Sequence, residues 1–238
     1  MIGRSVRWIA CFSALGVALV VGSCRQFFTT SLAPWAARDP ASLIPLVSTA
    51  NIDELLEQSA NNPDQSLALL DSINDALATA SDADKAVLQA AALTAASNAS
   101  GLATSVLSNA GALLNAQESG GDIIPVISDA IEGLANLADT ATLLADILPD
   151  PNSQSFHDFV AQASPEDLAM AAIVLLAAEA QTAGGVENYI ESFNPDSPSP
   201  GAETLAVALA EAAATAYGAS GGTGPLADIL AGLNLTTP

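Results

Sequence analysis

Positive charge is what this sequence has least of. Lys and Arg number 5 against 26 Asp and Glu, a formal net charge of −21 at pH 7, and neither Lys nor Arg occurs from Ala86 to Pro238. Neutralising nucleic-acid phosphates takes clustered cations, so a nucleic-acid-binding role is set aside. Electrostatic docking onto anionic lipid headgroups is set aside on the same ground. Cysteine is as scarce. Cys11 and Cys24 are the two, so beyond residue 24 the chain holds no thiol, no disulfide and no thiolate metal ligand. A single His, His157, cannot build the usual zinc site. Aromatic residues make up 4% of the chain while half of it is apolar, so the core has to come from Ala, Leu, Ile and Val. Ala and Leu are strong helix formers and the residues that strands favour are sparse, which points to an all-α fold.

The longest apolar stretches lie at two places. The first follows Arg4 and Arg7 and runs from Trp8 to Gly22. It falls short of the roughly 20 residues of a comfortable membrane span, but has the length of the apolar region of an export signal. The second, Leu168 to Ala178, is flanked by Glu166, Asp167 and Glu179 and reads as a buried helix.

The first stretch ends in Val21-Gly22-Ser23-Cys24. An aliphatic residue and two small ones before a Cys resemble the lipobox of bacterial lipoproteins, although the aliphatic position there is more often Leu. The resemblance implies a signal peptide over residues 1–23, cleavage between Ser23 and Cys24, and diacylglycerol on the Cys24 sulfur, usually with acylation of the new amino terminus. Several acyl chains hold a protein on a bilayer where one binds only marginally, each buried CH₂ contributing about 0.8 kcal/mol. In the best-known double-membraned bacteria an Asp after the Cys retains the lipoprotein in the inner membrane. Arg25 stands there instead, so the resemblance favours a lipid-anchored place in the cell envelope at the outer membrane. With Arg4 and Arg7 removed, Arg25, Arg38 and Lys85 would be the only bases left to face 26 acids.

Residues 24–40, with Phe27, Phe28 and Trp35, read as a lipidated tether, and 41–238 as an acidic helical domain with a sub-boundary at NPDSPSPG, 194–201. Helix punctuation recurs through the domain. Asn51 with Glu54 has the spacing of a capping box. Asn62-Pro63-Asp64 places a cap before a first-turn Pro, and Leu67, Leu70, Ile73, Asn74 and Leu77 follow at helical spacing. Ser81 to Asp84 opens a helix reaching about Asn98, and Gly101 separates it from one carrying Val106, Leu107, Leu113 and Leu114. After Gly120-Gly121, Asp122 is expected to cap a helix extending through Ile147 with a kink at Gly133. Ser164-Pro165-Glu166-Asp167 combines a cap, Pro at the first helical position and two first-turn acids. Further helices are expected around 156–163, 189–193, 203–217 and 225–233. Starts near 63, 82, 101 and 122 suggest either a solenoid-like array of helical hairpins or an irregular multi-helix bundle. The aromatic and Leu-Gly signature of tetratricopeptide repeats is absent in this register.

For chemistry, the sequence offers little beyond carboxylates. His157 beside Asp158 is a formal general-base pair or an ordinary helical residue. No HExxH, phosphate loop, GxSxG or dinucleotide fingerprint occurs, and no Lys or second His stands ready to activate a Ser. Asp71 and Asp75 share a helix face and Asp82 and Asp84 open the next helix. Together they could offer hard oxygen ligands to Ca²⁺, or simply satisfy the helix dipole and solvent. A glycosidase-like acid pair would want more Trp and Tyr than Trp35, Tyr189 and Tyr217, the ones found beyond residue 24. The expectation is therefore a noncatalytic lipoprotein without a cofactor, a helical scaffold for protein–protein interaction on the periplasmic or outer-membrane surface. Its acidity would suit a basic protein partner, or serve solubility in a salty medium. The alternative is a carrier holding an apolar ligand between Ala-lined helices.

Overall fold

The computed structural model describes residues 44–119 and 124–220, and the described chain forms ten α-helices and no strand. In chain order these are α1 (Ile52–Ser59), α2 (Pro63–Leu77), α3 (Asp82–Ser100), α4 (Leu102–Ser119), α5 (Ile124–Glu132), α6 (Leu137–Ile147), α7 (Gln154–Val160), α8 (Pro165–Thr182), α9 (Val186–Ser192) and α10 (Ala202–Ser220). The tether, the Gly120–Asp122 break and the 225–233 helix fall outside the described residues.

Side-chain caps set most of the helix starts. Asn62, Ser81, Ser153 and Ser164 each accept a hydrogen bond from a backbone N–H in the first turn of α2, α3, α7 and α8. Each satisfies one of the orphan donors of a helix N-terminus. Gly101 ends α3 in the left-handed region at φ 68°, where a side chain would be strained.

One expected cap and one expected continuous helix come out differently. Asn51 precedes α1, but its side chain turns back instead of capping. Its Oδ1 accepts from the Ser48 N–H at 2.8 Å and the Ser48 hydroxyl at 3.0 Å, and its Nδ2 donates to the Leu46 carbonyl at 2.9 Å. The expected kinked helix through Gly133 is two helices, α5 and α6. The segment between them finds better partners outside a continuous helix: the Ala135 N–H donates to the Ser100 carbonyl at 3.0 Å. Asn136 adopts φ 47° and its Nδ2 donates to Asp64 Oδ1 at 3.2 Å. Glycine costs a helix interior about 1 kcal/mol, so Gly133 gives little resistance to that break.

Of the two architectures, the described chain forms the bundle. In an array each repeat touches only its neighbours. Here α3 packs against α1, α2, α4, α6, α7 and α8, and α8 packs in turn against α6, α9 and α10. These two long helices are apolar around most of their circumference, as buried helices are. Ala92, Leu93, Ala95, Ala96 and Ala99 of α3 are buried, as are Leu168, Ala171, Ala172, Val174, Leu175 and Ala177 of α8. Small Ala side chains let the helix axes approach closely, and Leu69, Leu70, Ile73, Leu144, Phe159 and Leu209 close the core around them. The 194–201 connection joins α9 to α10, and both helices pack on α8.

Candidate functional site

Val21, Gly22, Ser23 and Cys24 lie outside the described residues, so the lipidation reading stays with the sequence. No described helix is by itself long and apolar enough to cross a membrane. What the fold does decide is where the domain's charges and clefts fall.

The four acids singled out as cation ligands do not converge. Asp82 pairs with Lys85 at 3.6 Å on the surface of α3. Asp84 completes the α3 cap, accepting from the Ser81 hydroxyl at 2.6 Å while its own N–H donates to Ser81 Oγ. Asp71 is exposed on α2. Among the described residues no three metal-ligating side chains come together. His157 is exposed on α7 and presents its ring edge-on to Phe156, with 6.4 Å between centroids, while Gln154 donates to the Asp158 carboxylate at 2.9 Å. His157 and Asp158 thus stand as ordinary helix-surface residues.

Two of the four acids do share a cleft. It lies between residues 44–49 and the α2–α3 hairpin and measures about 440 Å³. Ile44, Val47, Ala76, Ala80 and Leu88 supply its apolar lining, and Asp75 and Asp84 add carboxylates. The Thr49 hydroxyl donates to Asp84 Oδ1 at 3.2 Å and pins the 44–49 segment to the start of α3. Leu46 stands on the rim with its side chain 95% exposed. Neither Leu46 nor the reversed Asn51 side chain was identifiable from spacing. Asn-x-x-Glu reads equally well as a helix cap, and only the partners of Asn51 distinguish the two.

A second cleft of about 480 Å³ lies where the α1–α2 turn meets the α3–α4 junction and the end of α5. Its polar lining is largely spent on backbone: Ser105 Oγ donates to the Ala130 carbonyl at 2.8 Å and Asn109 Nδ2 to the Ser105 carbonyl at 2.9 Å.

Two tyrosines have glutamate neighbours. The Tyr217 hydroxyl donates to Glu166 Oε1 at 2.8 Å, tying α10 to the start of α8. Burial and then the Glu166 carboxylate push that phenol up to about 12. Tyr189 stacks on Phe193 with centroids 5.2 Å apart. Its buried hydroxyl lies beside the Glu203 carboxylate without closing a hydrogen bond of good geometry. Burial first, then Glu203 and Glu179, drive the Tyr189 phenol above its ordinary value. Burial raises the Glu203 carboxyl as well, but the Ser199 N–H donating at 2.7 Å, the Ser199 hydroxyl and the Tyr189 phenol together hold it below its ordinary value. The Tyr217 phenol is thus a hydrogen-bonding tie between helices, and the Tyr189 phenol packs beside a carboxylate.

Against this geometry, no protein-family model, no curated protein and no solved structure matches the chain.

Proposed function

We propose that this chain is a lipid-anchored, noncatalytic helical module that engages a basic protein partner at a membrane surface of the bacterial cell envelope. One observation carries the reading. Lys85 is the only Lys or Arg among the described residues, and it is already committed to Asp82, so the acidic surface has almost no counter-charge of its own. An unbalanced field of one sign steers an oppositely charged partner and gives association that weakens with salt. The lipobox-like VGSC supplies the anchor. A carrier of apolar ligands is the weaker reading, because the two clefts described above are bordered by polar side chains.

Chemical crosslinking of the full chain in native membranes, followed by purification at low and at high salt, tests the reading. Basic proteins recovered at low salt and lost at high salt are the expected result. Recovery of no partner under either condition overturns the interaction role, and an intact mass showing an unmodified Cys24 overturns the anchor.

A further inference from the structure

We infer that the cleft between residues 44–49 and the α2–α3 hairpin is the point at which this module grips its partner, by taking up a Lys or Arg side chain next to an apolar one. The inference rests on the interaction reading above and names the face that performs it. The cleft wall is actively held. Asn51 makes three hydrogen bonds to Leu46 and Ser48, and Thr49 bonds to Asp84, so the backbone at 46–49 is tied at both ends of the rim. The Leu46 carbonyl is bound to Asn51, and the residue is 95% exposed beside an apolar floor. An apolar side chain at the lip of a cleft gains hydrophobic free energy when a partner covers it.

The chemistry of the cover follows from the lining. Val47, Ala76, Ala80 and Leu88 suit a hydrocarbon stem, and Asp75 and Asp84 suit a cationic head. Lys and Arg are the side chains that combine the two. Asp84 has spent oxygen lone pairs on two hydroxyls, but Asp75 lines the cleft on the exposed edge of α2. Among the described residues no cation is free to answer them, since Lys85 pairs with Asp82 outside the cleft. About 440 Å³ suits one or two side chains rather than a whole helix, so the contact is a plug inserted from an opposing surface.

The probe is a short fluorescent peptide of alternating Leu and Arg, with a Leu/Glu peptide as control, binding the full chain in detergent solution and read by anisotropy. Asp75→Asn and Leu46→Ser should each weaken Leu/Arg binding by about fivefold, the scale of one part-exposed charge pair or one apolar anchor. Asp71→Asn removes an equal charge from the same helix outside the cleft and should leave binding within about twofold of wild type. Unchanged far-ultraviolet circular dichroism shows that the variants fold. If all three variants lose binding equally, the cleft assignment falls and a diffuse acidic surface remains. If no Leu/Arg peptide binds even at low salt, the broader interaction reading falls with it. Leu46-dependent binding to phosphatidylcholine vesicles would make the rim a membrane contact and overturn the assignment. So would peptide affinity that rises on replacing Arg25 or Arg38, because the occupant would then be this chain's own tether.

Discussion

Gln89 is a sharp test of how this fold is held. It lies on α3 with only 8% of its surface exposed, and its Nε2 donates at 3.0 Å to the carbonyl of Ile147, 58 residues away at the end of α6. The last carbonyls of a helix have no intrahelical donor, and Ile147 is itself buried. Gln89→Met keeps the volume but removes the donor, leaving a buried carbonyl unpaired at a cost of about 2 kcal/mol. With a urea slope of ~2 kcal/mol/M, the unfolding midpoint falls by about 1 M. Gln89→Glu separates hydrogen bonding from packing. At pH 7 its carboxylate faces a carbonyl oxygen in a poorly solvated site, so the folded pKa rises above the unfolded value of about 4.3. The penalty is then absent below about pH 4, where the neutral acid donates to Ile147, and it grows as pH rises through the folded pKa. Relative to wild type at each pH, Gln89→Glu should be worse than Gln89→Met at pH 7 and better than it near pH 4. Urea melts of the three proteins at both pH values read this directly. If both variants lie within ~0.3 kcal/mol of wild type at pH 7, the cross-bundle bond contributes nothing and the reasoning fails.

Removing the caps at Ser81 or Ser164 with Ala should cost about 1 kcal/mol each, and the double variant should show the sum because the two caps serve different helices. Chemical denaturation of the single and double variants measures both the cost and the additivity. Phenolate absorbance of the folded protein should stay low through pH 10 and rise only near pH 12, returning to the ordinary value in denaturant, because both tyrosines are raised. By linkage, the phenols' contribution to stability is constant below about pH 10, the unfolded phenol value, and falls as pH climbs towards 12, since the unfolded chain releases the protons first. A titration of Tyr217→Phe isolates the Tyr189 share. Added NaCl should raise the thermal midpoint continuously up to about 1 M, where the Debye length is ~3 Å, because self-repulsion among unpaired acids is screened; a midpoint that falls with salt would contradict the charge reading.

Much of the architecture was legible locally. Asn62-Pro63, Ser81 to Asp84, Gly101 and Ser164 to Asp167 mark helix ends correctly, because capping is settled within one turn by a side chain and the nearest free N–H. The site was legible only in part. Asp75 and Asp84 were singled out as carboxylates that could meet across the α2–α3 turn, and both line one cleft, whereas Asp71 and Asp82 do not. Exposed Leu46 carried no signal, since nothing in its neighbours' spacing says that Asn51 reaches back to hold its carbonyl.

Composition and short-range pattern by themselves determined that the chain is helical, acidic and built on an Ala/Leu core, because those properties depend on residue type and on neighbours three or four positions away. Tertiary structure alone decided that a regular series of helix starts closes into a bundle around α3 and α8, that the chain breaks after Gly133, and that Gln89 goes inward. Those outcomes turn on pairs such as Ser100 with Ala135 and Gln89 with Ile147. The free energy of each pair exists only once distant segments have met, and no local window contains both partners.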